Sequence, residues 1–108
     1  MKKKEFIQII TTVEKKEDAE KIANILLKKR IAACVQIIDN IESYYWWKDK
    51  IEKGQEILLF IKTKAEMFEK VEKVVKENHS YEIPEIISFK IYKGSKEYLK
   101  WIENETIK

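Results

Sequence analysis

Residues Phe6 to Thr11 are β-branched or aromatic, and Thr12, Glu14 and Asp18 follow them, so the pattern predicts a first strand that runs into a helix start. The apolar period then changes. Ala19, Ile22, Ala23 and Leu26 recur at helical spacing, with Glu17, Asp18 and Glu20 in front and Lys28, Lys29 and Arg30 behind, which complements a helix dipole. Ala32 to Ile38 reads as a second strand that continues past a kink at Asp39-Asn40 through Ile41 to Trp47. Lys48-Asp49-Lys50 is a polar turn. Glu56 to Thr63 is a third strand, and its centre, Ile57 to Ile61, is apolar on both faces, which makes it central in a sheet. Thr63 and Glu66 have the spacing of a capping box, ahead of a helix with the stripe Phe68, Val71, Val74 and Val75 that ends near Asn78. After a loop, His79 to Glu85, Ile86 to Tyr92 is a fourth strand. Gly94-Ser95 then caps a last helix carrying Tyr98, Leu99, Trp101 and Ile102.

This order is the split βαβ arrangement of ferredoxin-like α+β domains, extended by a C-terminal helix and covering residues 1–108 as one domain. Right-handed crossovers are expected to make the first and third strands a central parallel pair. Two helices cover one face of a four-stranded sheet and leave the other to solvent. Here both faces carry large apolar groups, since Ile57, Leu59 and Ile61 point one way and Leu58 and Phe60 the other. The run Tyr44-Tyr45-Trp46-Trp47 sharpens the problem. Its rings alternate between faces, and each can bury roughly 150 to 250 Å². Either the rings fold back over the domain's own helices or a second copy of the chain covers them, and an edge strand favours the second copy because its open backbone groups would be satisfied as well.

Composition narrows the class. With 44% hydrophobic and 38% charged residues among 108, the chain falls in the soluble class. A formal charge of +3 does not by itself call for nucleic acid. One cysteine, Cys34, and one histidine, His79, exclude an internal disulfide and a four-ligand zinc site of Cys and His in one chain. The start, Met1 to Lys4, is basic, but Glu5, Gln8 and Thr11-Thr12 interrupt the apolar region a secretion signal needs. Ile31 to Val35 and Ile57 to Ile61 are far shorter than the roughly 20 residues of a membrane-crossing helix. The cytoplasm is the expected compartment, with no membrane partner. The weight of Lys, Glu and Ile fits either the ion-pair networks of a heat-adapted protein or a genome's base bias.

The chain resembles the CutA family of divalent-cation tolerance proteins. The residues that carry the resemblance are Thr11-Thr12, Arg30-Ile31-Ala32-Ala33-Cys34-Val35, Tyr45-Trp46-Trp47 followed by Ile51, then Glu56, Lys62-Thr63, His79-Ser80-Tyr81-Glu82-Ile83-Pro84-Glu85-Ile86, and Tyr98 with Trp101. Three positions depart from the family pattern: Ser80 for Pro, Asp49 for Gly and Gln36 for Asn. Asp tolerates a left-handed backbone better than most residues. The resemblance implies a homotrimer joined through long edge strands, with Tyr44, Tyr45, Trp46 and Trp47 at the interface. It also implies a role in tolerance of copper and other divalent metals, and kinship in shape with PII signalling proteins. Lys62, Tyr81, Glu82 and Trp47 match positions that line the intersubunit cleft of that family.

Cys34, His79 and Glu82 are the candidate metal ligands, because thiolate and imidazole suit Cu²⁺ and a carboxylate completes a borderline site. Each has a plainer reading: Cys34 as a small packed thiol in an apolar strand, His79 as a helix-end cap. Lys62 can snorkel, Tyr81 can pack beneath its loop and Trp47 can be pure interface. A trimer allows ligands from different copies. A small anionic effector beside Lys62, as in a PII-like regulator, is the alternative occupant. No organic cofactor and no catalytic constellation is expected. Acylphosphatases of this fold need an arginine in a loop after the first strand, but Arg30 ends the first helix. RNA-recognition domains need a basic, glycine-rich, aromatic third strand, which Gly54 to Thr63 lacks.

Overall fold

The structure, a computed structural model, describes residues 4–107; the basic start at Met1 to Lys3 lies outside the described residues. The elements are β1 (Phe6–Val13), α1 (Lys16–Lys28), β2 (Cys34–Trp47), β3 (Lys50–Lys64), a short 3₁₀ turn (Ala65–Met67), α2 (Phe68–Glu77), β4 (Ile86–Lys90) and α3 (Lys96–Glu105). The sheet order is β2-β3-β1-β4. β1 and β3 are central, as the apolar third strand predicts, but they run antiparallel, as does every neighbouring pair. This corrects the expected parallel pair. Each helical crossover returns the chain parallel to the strand it left but one position further across, and the other half of the split motif fills the gap.

Cross-strand register sorts the side chains into two faces. Ile9 lies opposite Ile61, and Thr11 opposite Leu59. These residues form the helix-covered core with Ala19, Ile22 and Leu26 of α1 and Val71, Val74 and Val75 of α2. Burial of each such aliphatic side chain is worth roughly 1.5–3 kcal/mol, and this layer dominates the stability of the fold. The Thr11 hydroxyl is buried there without a hydrogen-bond partner. On the opposite face, Phe6, Lys64 and Ile102 are buried outside that cluster, and the Lys64 ammonium donates to the Ile107 carbonyl at 2.6 Å. α3 thus covers only one end of the second face. The rest of that face carries Ile10, Ile38, Leu58, Phe60, Ile87 and Phe89, of which Ile38, Ile87 and Phe89 are exposed.

Several ends follow local chemistry. α1 stops in a Schellman motif. The Ile31 amide donates to Leu26 and the Arg30 amide to Leu27, while Arg30 takes the left-handed conformation at φ 60°. Ser95 caps α3 by accepting from the Tyr98 amide, as expected. The capping box at Thr63 does not form. β3 runs on to Lys64, and the Thr63 side chain points into the core, where its hydroxyl donates to the Ile31 carbonyl at 2.7 Å. Satisfying that buried carbonyl takes precedence over capping. β4 ends at Lys90, short of the expected Tyr92, and β1 continues to Val13.

The largest difference lies in the hairpin. β3 begins at Lys50 rather than Glu56, so β2 and β3 pair along their whole lengths around a two-residue turn with Lys48 at φ 50° and Asp49 at φ 66°. Paired positive φ values suit the twist of a tight hairpin. The kink at Asp39-Asn40 is a β-bulge: Ile38 pairs with Leu58 and Ile41 with Glu56, so β2 has one extra residue, and Asn40 sits at φ 58°. Beyond it the hairpin runs as a two-stranded ribbon about 23 Å long at strand rise, along a molecule whose longest extent is 48 Å.

Candidate functional site

The bulge decides which rings face which way. Before it, the even-numbered Cys34, Gln36 and Ile38 share the second face with Lys62, Phe60 and Leu58. After the extra residue, the odd-numbered Ile41, Ser43, Tyr45 and Trp47 share that face with Glu56, Gly54, Glu52 and Lys50. The Tyr45 ring lies across Gly54, where an added Cβ would stand in ordinary contact, 3.8 Å from the Tyr45 hydroxyl. Tyr44, Trp46, Lys53 and Ile51 take the other face of the ribbon, and Trp46 is 72% exposed.

Against this ribbon stands the loop between α2 and β4. His79 pins it. The His79 Nδ1 accepts from the Tyr81 amide at 3.1 Å, so Nε2 carries the proton and donates to the Thr12 carbonyl at 2.6 Å. The imidazole and the Tyr81 ring pack with centroids 4.8 Å apart. Tyr81 reaches across to Glu56. Burial, then its hydrogen bond to the Glu56 carboxylate, then the charges of Glu56, Glu14 and Tyr45 push the Tyr81 phenol well above its ordinary value of 10.0. Between ribbon and loop lies a cleft of about 960 Å³, walled by Tyr44 to Trp47, Tyr81, Ile83 and Pro84, with the carboxylates of Glu42, Glu56, Glu82 and Glu85. Among the described residues, no basic side chain lines it.

Of the sequence-derived candidates, Trp47, Tyr81 and Glu82 meet in this cleft, with Tyr44, Tyr45 and Trp46. Cys34 and Lys62 do not join them. They pair with each other where β2 begins, four residues along β3 from Leu58, the partner of Thr12, which is about 13 Å at strand rise. There the Lys62 ammonium donates to the Gln36 side-chain oxygen. Cys34 is half-buried and free, and burial followed by the nearby Cys34 charge pushes the Tyr98 phenol upward. Among the described residues of one chain, no three His, Cys, Asp or Glu side chains are placed to hold one metal ion. Cys34, His79 and Glu82 therefore do not form a ligand set within a single copy. Both His79 nitrogens are also engaged.

Glu42, Ser80 and Glu85 are cleft residues that the sequence pattern does not predict, and it gives Glu56 and Thr12 only as strand-end and family positions. One signal lay in the sequence: Glu56 abuts the apolar run Ile57 to Ile61 of β3, and a carboxylate there needs a wet or polar neighbour.

These features define the class: a ferredoxin-like α+β protein with an acidic, ring-walled cleft beside a long hairpin. The family model for the CutA1 divalent ion tolerance protein matches residues 7–105. The chain belongs to that family. It is 44% identical over 99 residues to the divalent-cation tolerance protein CutA of Archaeoglobus fulgidus, covering 92% of this chain and 95% of that one. It is 39% identical over 100 residues to the chloroplastic protein CutA 1 of Oryza sativa subsp. japonica, covering 93% of this chain. The chain spans 56% and 55% of the lengths of its two plant relatives. The crystal structure of CutA1 from Oryza sativa superposes with a TM-score of 0.93 at 38% identity, covering 96% of this chain and 95% of that one.

Proposed function

We propose that this chain is a homotrimeric, non-enzymatic cation-tolerance protein that holds copper or another divalent cation between its subunits, without an organic cofactor. The observation that carries the assembly is the second face of the sheet. Ile38, Ile87 and Phe89 are 42%, 45% and 55% exposed beside half-buried Ile10, Leu58 and Phe60. α3 covers only the far end of that face. β2 and β4 are both edge strands, so a ring of copies satisfies the apolar face and both open edges by one contact repeated around a closed axis. Light scattering at micromolar concentration is the test: a mass near three chains of 13.0 kDa is expected, and a mass near one chain ends the reading.

In such a ring, a thiolate and an imidazole from different copies would suit copper. Cys34 from one copy and His79 with Glu82 from another are the proposed ligands, and His79 would first give up its bond to the Tyr81 amide. Calorimetry with Cu²⁺ on Cys34→Ser and His79→Ala checks this: weakened binding in both supports the set, and unchanged binding removes it. The acidic lining favours a cation over the small anionic effector of a PII-like regulator, since the one cation proposed for that role, Lys62, lies outside the cleft of its own chain. The compartment is proposed to be the cytoplasm, with cell fractionation as its test. No described helix is long and apolar enough to cross a membrane, while relatives carry names that include a chloroplast and a periplasm.

A further inference from the structure

Lys64 ends β3 on the second face of the sheet, where it is only 1% exposed. A lysine ammonium carries three donors and a full charge, and its burial is costly unless those donors are engaged or a carboxylate stands beside it. Lys64 meets neither condition. Its one side-chain hydrogen bond among the described residues goes to the Ile107 carbonyl at 2.6 Å, and none of the ion pairs formed by those residues includes it. The acceptor belongs to the tail after α3. Lifting α3 and that tail removes the bond and returns the ammonium to water.

The rest of the attachment is thin. Ile102 is fully buried and Thr106 nearly so, but the Thr106 hydroxyl turns back onto the Ile102 carbonyl of its own helix at 2.9 Å. The Ile107 amide donates to the Arg30 carbonyl at 2.8 Å. Arg30 pairs with Glu105 at 3.0 Å and Lys4 with Glu103 at 3.7 Å, with all four side chains substantially exposed, where such pairs are worth little. Tyr98 and Trp101 stack on each other and are 40% and 41% exposed. A helix of ten residues does not hold its shape alone in water. By contrast, α1 and α2 each drive three buried side chains into the common core.

We propose that α3 and its tail form a strap that opens while the sheet stays folded, and that Lys64 sets the ease of opening. Its buried ammonium opposes the apolar docking of Ile102 and is relieved when the strap lifts. Opening uncovers Phe6, the cross-strand neighbour of Lys64, and so lengthens the apolar strip of the second face toward the α3 end. A latch would behave in the opposite way, since its removal would loosen the strap.

Hydrogen exchange of the full chain, read amide by amide at one pH, tests this. The amides of Ile102 to Glu105 should exchange at least about tenfold faster than those of Ile9 and Ile61 in the central strands. Lys64→Met keeps an unbranched apolar stem and removes the charge; it should slow exchange of the α3 amides by about tenfold. Lys100→Met, the same change at an exposed position of α3, should leave them unchanged. Exchange of α3 at the rate of Ile9 and Ile61, which would mean that it opens only with the whole fold, overturns the proposal whether or not a variant folds. Unchanged or faster exchange in Lys64→Met, or equal slowing in both variants, overturns it as well.

Discussion

β2 and β3 pass through two environments that share the same hydrogen-bond ladder and little else. Under the helices, Leu59 and Ile61 are fully buried; past the bulge, Trp46 and Ile51 on the same two strands are 72% and 65% exposed. A two-stranded hairpin alone is marginally stable in water. Regular pairing out to Trp47 and Lys50 therefore shows what the backbone prefers, whereas the reason for keeping large rings there is sought in what the ribbon touches. The first half of the hairpin holds the fold together. The second half presents surface.

The contrast can be broken most forcefully in the covered half. Leu59→Ala should cost about 3–5 kcal/mol, because the site is walled by α1 and α2 and cannot collapse; denaturant unfolding measures it, and a loss under 1 kcal/mol would mean that the layer is looser than its burial. Next comes the loop that faces the ribbon. His79→Ala removes two hydrogen bonds and should cost about 1–3 kcal/mol locally, seen as faster hydrogen exchange at the Tyr81 amide. Unchanged exchange would show that the loop does not depend on the imidazole.

A smaller effect involves pH. The raised Tyr81 phenol keeps its proton in the folded chain at pH values where the unfolded chain has lost it. Its contribution is therefore complete below pH of about 10 and declines as the pH climbs beyond that. Tyr81→Phe should flatten the alkaline slope of stability relative to wild type, and an identical slope would refute the assignment. The smallest effect belongs to the free ribbon. Trp46→Ser should change the unfolding free energy of an unassembled chain by no more than about 0.5 kcal/mol. The same change should weaken self-association, read as a lower mass on dilution; a large monomer effect instead would mean that the ring packs on its own chain.

The legible parts of the sequence were those whose cause is local. α1, the stripe of α2 and the Ser95 cap each rest on residues a turn or two apart. The aromatic run announced an exposed surface because four rings on alternating faces exceed what one small core can hide. The misread parts depend on partners far along the chain. Lys50 to Gln55 looks like loop because Glu52, Lys53 and Gln55 carry no hydrophobic signal, yet pairing with Glu42 to Trp47 makes it strand. Thr63 has a cap's spacing, and Ile31, a distant residue, claims its hydroxyl. The cleft was half legible: Tyr81, Glu82 and Trp47 were named, but the role of His79 in pinning the loop depends on the carbonyl of Thr12, 67 positions away.

The order Tyr44-Tyr45-Trp46-Trp47 gives each side of the ribbon one phenol and one indole. Were the two strands to slip by a single step, the sides would trade places and still show the same pair of chromophores. The tetrad is thus written like a message that reads alike from either side of the paper. What tells the sides apart is the opposite strand, with Glu56, Gly54, Glu52 and Lys50 on one and Gln55, Lys53 and Ile51 on the other. Divergence in what this ribbon recognises should therefore accumulate in β3, while the aromatic letters of β2 stay put.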